Sequence, residues 1–116
     1  MATVPYTMQP ATLTTSTATY VTCPSNQYLT TKKVTLTNTT ASAATATFYK
    51  VPSGGTAGTA NQIIGAVTIP ANTVNGGVKE IYELENQILQ AGDTIQALAG
   101  TASALNLNVS GILQTT

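Results

Sequence analysis

Glu80, Glu83, Glu85 and Asp93 are the residues of this chain whose type and spacing could do chemistry. Two facing carboxyl groups can divide acid and base roles in glycosidic cleavage, and a cage of hard carboxylate oxygens can hold calcium. Neither reading fits the surrounding residues. No Asp/Asn/Gly loop gathers oxygen ligands here, and a sugar-cleaving cleft would want aromatic walls. On an extended strand Glu83 and Glu85 share one face, so a solvated strand edge accounts for the cluster. Other reagents are absent. Without His there is no imidazole base, which removes Ser-His-Asp and Cys-His arrangements. The single Cys23 cannot make a four-ligand zinc site, and Gly54-Gly55-Thr56-Ala57-Gly58 lacks the Lys-Ser/Thr ending of a phosphate loop. The residues predict a protein that is not an enzyme and uses no metal and no cofactor.

Composition says what such a chain can do instead. Its 116 residues suit one domain with a real core. Only 7% are charged, against a norm of about 25%, and Thr supplies about a fifth of the chain. Four lysines cancel four acidic residues, so no long-range field draws nucleic acid or anionic lipid. Solubility rests on hydroxyls and amides, and such a surface desolvates cheaply. Cys23 has no partner for an internal disulfide and is expected to be a small buried hydrophobe. The first residues lack a signal-peptide pattern and no apolar run reaches membrane-spanning length, so synthesis in the cytoplasm is expected. The sequons at Asn38 and Asn108 are what a Thr-rich chain produces by chance.

The elements that must carry this surface are strands. Residues 34–37, 44–51, 63–70, 78–84, 94–99 and 105–111 alternate apolar with small or polar residues at a period of two. The first two are expected to form a hairpin through NTTASA, and the last two a hairpin through GTASA. Ile81, Leu84 and Ile88 have helical spacing while 78–84 also alternates, so a strand to Leu84 is expected, then one helical turn through ENQIL that puts Ile88 and Leu89 in the core. With almost no helix, two sheets must cover each other, giving an all-β antiparallel β-sandwich of jelly-roll or immunoglobulin-like topology. The expected core is Val34, Leu36, Phe48, Ile64, Ile95, Leu107 and Val109.

Residues 1–27 differ from the rest. They carry Pro5, Pro10 and Pro24 and the run ATLTTSTATYVT, with few large apolar residues. This segment reads as an extended N-terminal arm with an edge strand, dispensable for folding and reaching neighbouring subunits, while 28–116 forms the sandwich domain. Exposed edges of this kind call for a partner strand or a neighbouring subunit as cover. Tyr6, Tyr20 and Tyr28 suit interface packing, and Pro52, Ser53, Gly54 and Gly55 read as a flexible surface loop. Five Tyr and one Phe also raise a sugar-stacking platform.

The stretches TLTNTTASAATATFYKVPSGGTAGTANQII and LQAGDTIQALAGTASALNLNVSGI resemble small β-sandwich structural proteins of tailed bacteriophages, with a "VPSGG" loop, an "AGDTIQA" strand and a final "VSG" strand. The resemblance covers residues 34–112. It implies a virion component, a capsid decoration (cement) protein ahead of a neck, tail or fibre module, with the major capsid protein or other virion proteins as partners and homo-oligomers expected. It also implies that Ile95, Leu107 and Val109 fill the core, while the 52–61 loop and the N-terminal segment meet neighbours. A glycan-binding module is the alternative class.

Overall fold

The computed structural model describes residues 3–8 and 10–115. Among them ten strands run β1 (Thr3–Thr7), β2 (Ala11–Thr12), β3 (Ala18–Thr22), β4 (Gln27–Asn38), β5 (Ala44–Val51), β6 (Gln62–Ile69), β7 (Val78–Glu80), β8 (Ile88–Leu89), β9 (Thr94–Ala99) and β10 (Leu105–Thr115). They build two antiparallel sheets. The larger has the order β1-β10-β4-β7, with β2 also on β10 and β8 also on β4; the smaller has the order β3-β9-β5-β6. The fold is thus an all-β sandwich, as the alternation predicts.

Alternation sets which side chains fill the space between the sheets. Ile95, Ala97 and Ala99 point inward from β9, Ala44, Ala46 and Phe48 from β5, and Leu105, Leu107 and Val109 from β10, all buried. On β4 the inward set is Leu29 and Thr31, then Val34, Leu36 and Asn38. That phase shift marks a bulge, because Ser110 pairs with Lys33 while Gly111 pairs with Thr31, leaving Lys32 as the extra residue. Gly111 is needed at this point. A Cβ there would meet the Thr30 carbonyl oxygen and lie 3.1 Å from Thr31 Cα, both backbone atoms of the adjoining strand. Gly111→Val is expected to cost about 1–3 kcal/mol by overpacking. Gly58→Ala, with nothing within 4 Å of the added carbon, is expected to stay within about 0.5 kcal/mol. Equal denaturation midpoints for the two variants would refute the close approach.

Neither predicted hairpin forms. β4 lies in the larger sheet and β5 in the smaller, and β9 and β10 are likewise divided, so NTTASA and GTASA carry the chain from one sheet to the other. Among the described strands only β5 and β6 are chain neighbours that pair with each other. The first crossing is built around Asn38, fully buried at the end of β4. Its Oδ1 accepts from Thr40 N at 2.9 Å and Thr40 Oγ1 at 2.8 Å, while its Nδ2 donates to Ser42 O at 2.8 Å. A buried carboxamide with these partners turns the chain out of one sheet plane and toward the other. The sequon at Asn38 is consequently closed to modification in the folded chain.

The 78–89 segment also differs from expectation. The strand ends at Glu80, and the helical turn is a 3₁₀ turn at Tyr82–Leu84 rather than through ENQIL. Leu89 is buried, but Ile88 is 57% exposed. Thr31 decides this. Its buried hydroxyl donates to Leu84 O at 2.5 Å and accepts from Gln87 N at 3.1 Å. Its backbone bonds Gln87 O and Asn86 N at 3.0 and 2.7 Å. With Asn86 in the left-handed region (φ 60°), the chain is drawn flat against β4 instead of winding into a helix.

Residues 3–8 and 10–22 fold onto the sandwich. β1 pairs with β10, β2 with β10 and β3 with β9, so the segment supplies an edge to each sheet, and Leu13, Val21 and Cys23 lie in the common core. Of the expected core, Val34, Leu36, Phe48, Ile95, Leu107 and Val109 are buried, whereas Ile64 on edge strand β6 is only partly so.

Candidate functional site

Glu80, Glu85 and Asp93 are each engaged by neighbouring groups of the fold. Among the described residues no group of three or more His, Cys, Asp or Glu could hold an ion. Glu80 Oε1 takes Lys33 Nζ at 3.2 Å, and Glu85 Oε2 accepts Val34 N at 3.1 Å where β7 has run out. A hydrogen bond between the Glu80 and Glu85 carboxyls, helped by Lys33, lowers the pKa of Glu80. Desolvation raises that of Glu85 against the pull of the Val34 N–H. The predicted sharing of one strand face by Glu83 and Glu85 does not occur, because Glu83 sits in the 3₁₀ turn and Glu85 follows it. Asp93 is a brace, its Oδ1 taking Ser53 N and its Oδ2 taking Gln90 N, both at 3.0 Å.

These groups place the charge. Lys32 and Lys33 on β4, with Lys79, Glu80, Glu83 and Glu85 beside them, are three of the four lysines and three of the four acidic residues of the chain. Charge is therefore gathered on one edge of the larger sheet and cancels there. The broad faces are left nearly neutral.

Strand register shows what those faces carry, since directly opposed residues project to the same side. Across the outer face of the larger sheet run Thr12, Asn106, Thr37 and Val78; then Asn108, Thr35 and Glu80; then Thr7, Ser110 and Lys33; then Pro5, Ile112, Thr30 and Ile88; then Thr3, Gln114 and Tyr28. Among these register positions the ionic residues are Lys33 and Glu80, which pair, and the exposed bulge residue Lys32 lies next to them. The smaller sheet presents Thr45, Thr47, Tyr49, Thr68, Gln96, Leu98, Thr19 and Thr22, with no charge. Both faces can dock against another protein at small electrostatic desolvation cost.

Each sheet edge, by contrast, is interrupted. Pro5 has no N–H to offer from β1, the β3 register shifts between Thr19 and Val21, and β6 bulges around Ala66 (φ 46°). Along the remaining edge the 3₁₀ turn separates β7 from β8. Cover by an added partner strand, one of the covers expected from the sequence, is disfavoured at all four edges.

The expected interface residues divide. Tyr6 and Tyr20 are half-buried against their own core, and Tyr20 Oη accepts Thr14 N at 3.3 Å. Tyr28 is 40% exposed, and Pro52, Ser53, Gly54 and Gly55 are exposed in a turn closed by Gly55 N on Pro52 O at 2.8 Å. The Asp93 brace brings that turn to the same end of the sandwich as Gln90. There Asn26, Gln27, Tyr28, Gln90 and Ala91 line an open depression of about 310 Å³. Sequence reasoning missed all of these but Tyr28, because QAGD reads only as a turn and the grouping depends on register between strands.

Cys23 is buried and hydrogen-bonds Gln27 O at 3.3 Å. Burial raises its pKa, as it does that of Tyr6, and the Glu80 hydrogen bond raises that of Lys33. The raised Cys23 contributes stability below the ordinary thiol value near about 8.5, lost as pH climbs past it. Raised Glu85 contributes below, and lowered Glu80 above, the ordinary carboxyl value near about 4.3. Neither window reaches neutrality, so stability is expected to be flat from pH 6 to 8. A denaturation midpoint shift worth more than about 1 kcal/mol across that range would contradict this.

No helix of the described residues is long and apolar enough to cross a membrane. Comparison with known proteins finds no matching family model and no matching curated protein.

Proposed function

We propose that this chain is a structural virion protein of a tailed bacteriophage, a capsid decoration subunit that binds the major capsid protein and its own copies. The observation that carries the reading is the division of the surface into two neutral hydroxyl- and amide-rich faces and four interrupted edges. Such a subunit adds to a lattice by shape, resists uncontrolled strand pairing and carries no charge pattern for nucleic acid. The resemblance across residues 34–112 points to the same class. A neck, tail or fibre position uses the same faces and differs in copy number.

Quantitative mass spectrometry of purified particles from the phage that encodes the chain tests this. Copies in the range of the major capsid protein are expected for decoration, and a small fixed number assigns the chain to the neck, tail or fibre. Because the contacts are neutral, raising salt from about 0.1 to 1 M, which shortens the Debye length from about 10 to 3 Å, should release little protein. Absence from particles would end the virion reading.

A further inference from the structure

We infer that the depression around Tyr28 binds a neutral saccharide unit. β8 opposes β4 with Ile88 on Thr30 and Leu89 on Leu29, and Gln90, the residue after β8, lines the depression together with Tyr28. On the other side Tyr28 faces Gln114. Tyr28 stands exposed on the outer sheet face, and three amide residues, Asn26, Gln27 and Gln90, line the depression with it. The next row across the sheet is Ile88, Thr30, Ile112 and Pro5, three of the four apolar.

This grouping has a specific chemistry. An exposed tyrosine ring offers a face to the C–H side of a pyranose, as aromatic faces do to other flat apolar surfaces. Each carboxamide carries a donor and an acceptor on one planar group, which matches the paired donor and acceptor character of vicinal hydroxyls. The volume of about 310 Å³ lies at the low end for small-molecule sites, enough for a sugar unit rather than a long chain. No lysine or acidic residue lines it, so neither a carboxylated sugar nor a cationic ligand gains a partner there. The site lies at one end of the outer face, and its occupancy does not depend on the virion reading.

Saturation-transfer NMR on the full chain, with neutral gluco-, galacto- and manno-oligosaccharides at millimolar concentration and sialyllactose as a charged control, tests the inference. Transfer to at least one neutral sugar is expected. Tyr28→Ala should weaken binding by about tenfold while Tyr28→Phe, which keeps the ring, stays near the parent value. Gln90→Ala should weaken binding without changing the circular dichroism spectrum. No transfer to any neutral sugar, binding of sialyllactose alone, or full binding by a folded Tyr28→Ala variant would each overturn it. None of these outcomes bears on the particle copy number.

Discussion

A chain lacking residues 1–22 is expected to be unfolded or aggregated, with no cooperative transition on heating. This reverses the sequence-based expectation that the segment is a dispensable arm. The truncation removes β1, β2 and β3, and with them the outer strand beside β10 in one sheet and beside β9 in the other. It also removes Leu13 and Val21, both buried, from the space between the sheets. Losing one buried Leu or Val costs about 2–5 kcal/mol through transfer and cavity terms, and whole-domain stability is only about 5–15 kcal/mol. Two such losses, with both ladders stripped of a strand, exceed what a domain of this size holds in reserve. A truncated protein that is soluble, monomeric and melts cooperatively within a few degrees of the parent would show that the segment is an arm after all. Leu13→Ala is the milder form of the same test. It should shift the denaturation midpoint as a core substitution does, although Leu13 lies in a Thr-rich run.

Why the segment reads as an arm is physical. Leu13, Val21 and Cys23 are isolated among Thr, Ser and Ala, so a window over residues 11–23 shows low apolar density, yet each occupies a core position once its strand is placed. Small hydroxylated residues suit edge strands, where packing is needed on one face only. The periodic strands were legible because their inward residues are apolar on every second position, as with Ile95, Ala97 and Ala99. Alternation fixes the face a strand buries but not the sheet it joins. A strand that crosses to the opposite sheet also turns its apolar face to the core, so both expected hairpins passed the sequence test and fail in space. The 3₁₀ turn at Tyr82–Leu84 depends on a hydroxyl at Thr31, some fifty residues away in the chain, and no local spacing records that. The Tyr28 depression was half-legible. Its ring was singled out as an interface residue, but Gln90 joins Asn26 and Gln27 beside it only because β8 pairs with β4.

Leu107→Ala is expected to destabilise the chain by about 2–5 kcal/mol, and Ile64→Ala by well under half as much. The sequence gives these two residues the same standing, as apolar positions in alternating strands. In the fold Leu107 has no exposed surface and sits on the inner face of β10 between β4 on one side and β2 on the other. Truncating it opens a cavity walled by fixed backbone, which cannot collapse cheaply. Ile64 also faces inward, paired with Phe48, but β6 is the last strand of its sheet and no further strand closes over it. Water already reaches that side chain, so its removal forfeits less transfer free energy and leaves a dent that solvent can fill. Urea denaturation of the two variants with unchanged slope measures the difference directly. Equal losses would mean that the edge of the smaller sheet is covered in solution, as by a second copy docked on that side. A loss at Leu107 within about 0.5 kcal/mol would place it at the surface and undo the sheet register on which the inward and outward faces are assigned.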